Sequence, residues 1–138
     1  MIKTYSLKND GEKRLSFNFK AKEFRCKDGS DVIKVDEKLV SILQNIRDWA
    51  GAPVTINSAY RTPEHNRKVG GASASQHVKG QACDIVVSGK KPVEVARYAQ
   101  SIGVNGIIKY DTFVHIDTRG AKYHAINRNG KFERVTRF

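Results

Sequence analysis

The stretch that decides the fold reads Ser75-Gln76-His77-Val78-Lys79-Gly80-Gln81-Ala82-Cys83-Asp84-Ile85-Val86-Val87. Its second half, from Ala82 to Val87, is rich in small and β-branched apolar residues and predicts a buried strand. An acidic side chain inside such a strand needs a partner or a metal, because burying an unpaired charge costs free energy. Asp84 is therefore the first candidate functional residue.

The spacing of His77 and Asp84 decides whether they can share a metal ion. Zinc ligands lie about 2.0–2.2 Å from the metal, so their donor atoms are roughly 3–4 Å apart. Seven residues of strand span about 23 Å, and seven residues of helix span about 10 Å. Only a chain reversal brings the two side chains together, and Gly80, which adopts positive φ easily, lies near its midpoint. We predict His77 on a loop and Asp84 on the strand that follows.

Strand alternation places Asp84 and Cys83 on opposite faces, so Cys83 should point into the core. A second segment reads Phe113-Val114-His115-Ile116-Asp117-Thr118-Arg119. Here His115, Asp117 and Arg119 share one face. Together the two segments supply two histidines and two carboxylates, which are ligand types of catalytic zinc sites. Two simpler interpretations stay open: a solvated loop residue for His77, and an ion pair between Asp117 and Arg119.

Patterns elsewhere predict alternating helices and short strands. Asp36 can cap a helix that runs to Ala50, whose apolar residues recur at spacings of three and four. Phe17 and Phe19 alternate with polar neighbours, as in a short strand. The other predicted elements are strands over 53–57, 106–110 and 113–117, helices beginning at 63 and spanning 92–102, and a hairpin over 122–135 that turns at Asn129-Gly130. The class is α+β, a small, mostly antiparallel sheet with helices packed on it, in one domain over residues 1–138.

Composition restricts the partner. The 138 residues include 25 Lys and Arg against 14 Asp and Glu, a formal net charge of +11. This excess indicates an anionic partner, which could be nucleic acid, an acidic membrane or a cell-wall polymer. No apolar run reaches the length of a membrane span, and residues 1–10 lack the apolar stretch of a signal peptide. Two cysteines are too few for a disulfide scaffold and are expected to be free thiols.

At these motifs the sequence resembles the M15 zinc peptidases, the D-Ala-D-Ala carboxypeptidase-like family that cleaves peptidoglycan stem peptides. It looks most like the compact group found in bacteria and as phage endolysins. The matching residues are Glu23-Phe24-Arg25-Cys26, Asp28-Gly29-Ser30, Ser58-Ala59-Tyr60-Arg61-Thr62, Asn66, Gly70-Gly71, the segment from Ser75 to Asp84, Gly106, Tyr110 and the segment from Phe113 to Arg119. The resemblance implies a fold like that of the Hedgehog and DD-peptidase domains.

The resemblance also implies roles for individual residues. His77, Asp84 and His115 would bind Zn²⁺ with water in the fourth position, and Arg61 would contact substrate. The residues alone also allow a surface charge or an anion clamp for Arg61. Many relatives carry a catalytic acid three residues before the last zinc histidine, where this chain has Thr112, which cannot act as a carboxylate base. Of the two nearby carboxylates, Asp117 and Asp111, we expect Asp117 to be the general base.

The expected function is zinc-dependent hydrolysis of an amide bond in wall stem peptides, of the carboxypeptidase or endopeptidase type. The expected protein is a monomer that docks on anionic wall polymers, does not bind nucleic acid, and is made in the cytoplasm for release to the wall, as phage enzymes are. Two alternatives remain: a zinc-containing module that binds the wall without cleaving it, and a basic nucleic-acid-binding domain. The second lacks a recognised reader motif, because Lys and Arg are scattered along the chain.

Overall fold

The structure is a computed structural model that describes all residues from 1 to 138. Its strands are β1 (Ile2–Ser6), β2 (Arg14–Ser16), β3 (Phe19–Lys20), β4 (Val32–Asp36), β5 (Val54–Ser58), β6 (Ala82–Val87), β7 (Gly106–Lys109), β8 (Val114–Asp117), β9 (Tyr123–Arg128) and β10 (Lys131–Arg134). Its α-helices are α1 (Leu7–Asp10), α2 (Glu37–Ala50), α3 (Pro63–Lys68) and α4 (Pro92–Ser101). A 3₁₀ helix covers Ala21–Phe24.

A six-stranded sheet in the order β10-β9-β7-β8-β6-β5 forms the centre of the molecule. All neighbouring strands in it are antiparallel except β7 and β9, which are parallel. Two further pairs, β1 with β4 and β2 with β3, are also antiparallel. The predicted α+β class with a mostly antiparallel sheet is confirmed.

Helix α2 forms as its sequence predicts. The Asp36 side chain accepts a hydrogen bond from the backbone N–H of Lys38 and caps the first turn, and Gly51 ends the helix in the left-handed conformation at φ 60°. The buried residues of α2 are Leu39, Val40, Leu43 and Ile46. They pack in one core cluster with apolar residues of α4 and of the central sheet. The two longest helices therefore cover one face of that sheet.

The opposite face of the sheet carries the candidate functional side chains. On β6, Cys83 and Ile85 belong to the core cluster, whereas Asp84 lies on the alternate face. The predicted inward orientation of Cys83 is confirmed, and both cysteines are free, buried thiols. None of the helices is long and apolar enough to cross a membrane.

The N-terminal third differs from expectation. Phe17 and Phe19 do not lie on one strand: Phe19 is buried on β3, but Phe17 lies in the turn after β2 and is 78% exposed. The strand predicted across both phenylalanines is therefore wrong, because the chain reverses direction between them. Strand β1 was not predicted, since most of its side chains are exposed and leave no apolar pattern. Its partner β4 was not predicted either, although Ile33 and Val35 alternate with exposed Lys34 and are buried in the core.

Candidate active site

Three side chains from separate segments meet on the open face of the sheet. His77 lies on the loop before β6, Asp84 on β6, and His115 on β8, directly across the strand pair from Asp84. Oδ1 of Asp84 is 3.4 Å from Nε2 of His77 and 3.0 Å from Nδ1 of His115. The chain reversal predicted before β6 is present, with Gly80 at φ 76°. The three ligand atoms lie within 4.8 Å of one another.

The hydrogen bonds behind the two imidazoles show that this trio fits a metal cation. Nδ1 of His77 donates to the carbonyl oxygen of Ala59 at 2.8 Å, which leaves Nε2 without a proton in the neutral ring. Nε2 of His115 donates to Oδ2 of Asp117 at 2.7 Å, which leaves Nδ1 unprotonated in the neutral ring. Two lone pairs and a carboxylate oxygen therefore converge, an arrangement of acceptors that only a cation can satisfy. Such outer hydrogen bonds are typical of zinc-binding histidines.

The charges in this cluster depend on one another. Burial works against the ionised form of Asp84, yet the adjacent imidazoles of His115 and His77 hold its pKa well below the usual range. Burial likewise opposes protonation of His115, but its hydrogen bonds to Asp117 and Asp84 raise its pKa above the usual value. Asp84 is thus an anion at neutral pH, and without a metal a proton on His115 is the alternative cation at this point.

Asp117 does not fit the general-base role expected of it. It is fully buried at 0% exposure, behind His115 as seen from the open face. Oδ2 contacts Nε2 of His115, and the Arg119 guanidinium donates to both carboxylate oxygens at 2.6–3.1 Å. A Cβ on the neighbouring Gly106 would lie 1.8 Å from Oδ1, so glycine is needed there. This carboxylate orients His115 and has no open path to substrate.

Arg61 reaches the cluster from the segment between β5 and α3. Its Nη2 lies 3.8 Å from Oδ2 of Asp84, while Nε donates to Ser58 and Nη1 to Asn66, each at 3.2 Å. A Cβ on Gly71 would lie 2.1 Å from the Asn66 side-chain oxygen, so glycine allows this close packing. These contacts place Arg61 beside the three clustered residues, and its contact with substrate stays a prediction.

A cleft of about 660 Å³ contains the cluster and Arg61. Tyr110 and Phe113 line it as a stacked pair with ring centroids 4.2 Å apart, and Phe132 contacts Tyr110 edge-on from β10. Its size lies within the range typical of small-molecule sites. The sequence analysis did not predict this aromatic wall. Tyr110 and Phe113 lie close in sequence to the predicted site residue His115, and this proximity could have indicated that their rings line the cleft.

The other carboxylate considered for catalysis lies outside the cleft. Asp111 is exposed in the turn between β7 and β8, and Thr112 lines a separate small pocket. Asp84 is the one carboxylate among the residues that line the cleft. The structure therefore brings together His77, Asp84, His115 and Arg61, places Asp117 behind them, and leaves Asp111 apart.

Comparison with known proteins accords with this geometry. A family model described as Peptidase M15 matches residues 16–117. The chain belongs to the peptidase M15 family. A curated relative, the probable peptidoglycan L,D-endopeptidase MepK of Haemophilus influenzae, is 31% identical over 104 residues, an alignment that covers 68% of this chain and 56% of that protein. The M15 chain thus spans about half the length of this relative. The family match includes the three clustered residues and ends before the β9–β10 hairpin.

Proposed function

We propose that this M15 chain is a zinc-dependent peptidoglycan peptidase that hydrolyses an amide bond in wall stem peptides. The observation that carries the proposal is the convergence of two imidazole lone pairs and the Asp84 carboxylate beneath Arg61 in a cleft. The residues that would hold zinc are His77, Asp84 and His115. When bound, zinc acts as a Lewis acid that polarises a carbonyl group and promotes ionisation of water near neutral pH.

The chain's own side chains supply binding and charge stabilisation. Arg61 points its guanidinium into the cleft, where it can donate to a carbonyl oxygen that gains negative charge during hydrolysis. Burial and the nearby Asp84 charge raise the pKa of Tyr110, so its phenol stays protonated and can donate a hydrogen bond to substrate. Asp117 holds His115 in one tautomer through the hydrogen bond to Nε2.

The absence of a second carboxylate from the cleft lining favours one alternative function. General-base catalysis by a carboxylate requires a free oxygen within hydrogen-bond reach of the attacking water. Asp117 and Asp111 do not meet this requirement, for the reasons given above. A zinc-containing module that binds wall peptides without cleaving them is therefore the second candidate, and its test is the same experiment.

The deciding experiment is mass spectrometry of muropeptides after incubation of purified peptidoglycan with the zinc-loaded protein. We expect new peptide termini that disappear with a chelator and in His115→Ala. Arg61→Ala should retain zinc but lose about 10²-fold in kcat, the effect typical of removing one oxyanion donor. Arg67→Ala, on the exposed side of α3, is the matched control and should keep full activity. Wall binding without new termini would establish the non-catalytic module instead.

The same digest distinguishes carboxypeptidase from endopeptidase action. A free terminal D-Ala indicates carboxypeptidase action, whereas cleavage within the stem indicates an endopeptidase, the activity named for the Haemophilus relative. We favour the endopeptidase type on that similarity. Docking on anionic wall polymers, the monomeric state and release from the cytoplasm to the wall stay predictions.

A further inference from the structure

A second cluster of metal-ligating side chains lies outside the cleft, at the junction of the N-terminal third with α3. It consists of Cys26 and Asp28, from the loop after the 3₁₀ helix, and His65 of α3. None of the three lines the cleft described above. We propose that Cys26, Asp28 and His65 form a second site for a divalent transition-metal ion such as Zn²⁺, independent of the peptidase centre.

The donor atoms have the separation that a metal requires. Sγ of Cys26, a carboxylate oxygen of Asp28 and a ring nitrogen of His65 lie within 4.8 Å of one another, the same limit that the His77, Asp84 and His115 group meets. In a tetrahedral zinc site with bonds of about 2.0–2.3 Å, ligand atoms are roughly 3.3–3.8 Å apart. Small side-chain rotations close the difference. Thiolate, imidazole and carboxylate are all established zinc ligands.

Burial and exposure of the three ligands suit an ion that enters from solvent. Cys26 is buried, His65 is partly buried and Asp28 is exposed, so the cluster opens at the surface. Water would supply the fourth ligand of a tetrahedral zinc ion. Binding would release the Cys26 thiol proton to solvent, since the thiolate is the metal ligand.

Hydrogen bonds already hold two of the ligands in place. The backbone N–H of Ser30 donates to Oδ1 of Asp28, and the Thr62 hydroxyl donates to Oδ2, each at 2.9 Å. The Thr62 backbone N–H donates to Sγ of Cys26 at 3.5 Å, a contact that holds the sulfur in position. The hydrogen bonds from Ser30, with that from Cys26, hold the pKa of Asp28 below its usual range, so the carboxylate is ionised.

The position of the cluster gives the ion a structural role. Thr62 caps α3 by accepting from the His65 backbone N–H at 3.2 Å, and it directly follows Arg61. The neighbouring Tyr60 N–H donates to the carbonyl oxygen of Phe24 at 3.2 Å. A metal bound to residues 26, 28 and 65 would therefore tie both sides of this junction together and fix the segment that carries Arg61.

The test is titration of the reduced apoprotein with Co²⁺, followed by absorption. The peptidase centre has no thiolate ligand, so a thiolate-to-cobalt charge-transfer band in the near ultraviolet reports the second site alone. We expect two Co²⁺ per chain and one such band. Cys26→Ser should lose the band and one equivalent of metal, while His77→Ala should keep the band and lose the other equivalent. Cys83→Ala is the matched cysteine control and should keep both.

Because Cys26 is buried, Cys26→Ser could disturb folding, so a second variant tests the same site at a more exposed position. His65→Gln changes a partly buried ring on a surface helix and should weaken binding at the second site at least tenfold while circular dichroism stays unchanged. A single Co²⁺ per wild-type chain without a charge-transfer band would overturn the proposal. So would a band that survives Cys26→Ser. The result does not depend on whether the protein cleaves peptidoglycan.

Discussion

Asp117 is a buried carboxylate that supports the candidate site through its hydrogen bond to His115 and does not line the cleft. Its two oxygens are shared between His115 and Arg119, and its side chain occupies the space left by Gly106. A series of hydrogen bonds therefore connects Arg119, Asp117 and His115. A carboxylate behind a histidine fixes the tautomer and increases the basicity of the nitrogen that faces the metal.

Asp117→Asn is expected to lower zinc affinity about 10–100-fold, because the amide can still accept from His115 but no longer carries the charge that strengthens this ligand. Zinc affinity is measured by competition with a chromogenic chelator. Activity should recover when zinc is added in excess. Loss of a general base would instead leave zinc affinity unchanged and the activity low at any zinc concentration.

The control for that experiment is Asp111→Asn. Asp111 is exposed and lies outside the cleft, so this variant should match the wild type in both zinc affinity and turnover. A large loss of activity in Asp111→Asn would contradict the placement of this carboxylate outside the catalytic machinery.

The sequence identified the candidate metal ligands, but it did not predict the hydrogen bonds that hold them in place. The spacing around Gly80 allowed His77 and Asp84 to meet, and the family resemblance implied that His115 joins them; the structure brings the three side chains together. Alternation fixes the face on which a side chain lies, but not which neighbour its atoms contact. The role of Asp117 depends on those contacts, which follow from the register of β7 with β8.

The β9–β10 hairpin adds a wall to the cleft that the family match does not reach. Asn129 and Gly130 both have positive φ, at 53° and 82°, as a two-residue hairpin turn requires, and the predicted Asn-Gly turn is confirmed. Phe132 on β10 is 56% exposed and faces Tyr110 at a ring-centroid distance of 6.5 Å. An exposed aromatic ring beside the candidate cleft is available to contact a bound peptide.

Phe132→Ala should raise KM for a wall peptide about three- to tenfold with little change in kcat. The ring makes an apolar contact that is the same in the ground state and the transition state, and its loss is worth about 0.6–1.4 kcal/mol. Steady-state kinetics on a purified stem peptide provide the measurement. Phe17→Ala removes an exposed phenylalanine that does not line the cleft and should leave KM unchanged. An equal rise in KM for Phe132→Ala and Phe17→Ala would contradict the proposed contact between Phe132 and substrate.

Asp36 joins α2 to the segment after β8. Besides capping α2 at Lys38, it accepts a hydrogen bond from the Thr118 hydroxyl at 2.7 Å. Burial works against its charge, but these hydrogen bonds lower its pKa below the usual value. A carboxyl with a lowered folded-state pKa contributes stability above its unfolded pKa, near 3.9, and that contribution is lost as the pH falls through the folded value.

Asp36→Ala should reduce the free energy of unfolding by about 2 kcal/mol at pH 7, through loss of the cap and of the charged hydrogen bond. Urea denaturation across a pH series measures the effect. The difference from wild type should stay constant above about pH 5 and shrink below about pH 4. Asp36→Asn keeps an N-cap acceptor without the charge, so it should destabilise less and show a weaker dependence on pH.

Prediction succeeded for a helix and a strand in which one face is buried and therefore carries an apolar pattern. Helix α2 and strand β6 carry clear apolar patterns, and their positions followed from the sequence within one residue. Strand β1 pairs with β4 along its whole length but exposes most of its side chains, so its pairing rests on backbone hydrogen bonds that leave no pattern. Phe17 was misplaced because an exposed aromatic in a tight turn resembles one residue of an alternating strand.

The charge of the whole molecule lies mainly outside the cleft. Of the 25 lysines and arginines, only Arg61 and Arg119 line it. The remaining positive charge is therefore available for contact with an anionic polymer and does not line the cleft. Interactions of this kind are screened by salt, with a Debye length of about 10 Å at 0.1 M ionic strength.

Lysis of intact walls should therefore fall several-fold between low salt and about 0.5 M salt, whereas cleavage of a short soluble stem peptide should change less than about twofold. Turbidity of wall suspensions and chromatography of the peptide measure the two rates under matched conditions. Equal salt sensitivity of both reactions would place the relevant positive charge inside the cleft.

The pairing of Asp84 with His115 across β6 and β8 has a consequence for folding kinetics. These residues are 31 positions apart, and α4 and β7 lie between them in the chain. A shift of one residue in the β6–β8 register would turn Asp84 or His115 toward the core, so the proposed metal-binding pair forms only when the register is correct. Pairing across such a separation is slow compared with helix formation. If the pair binds metal as proposed, the onset of metal binding in a refolding experiment marks the time at which the central strands of the sheet adopt their native register.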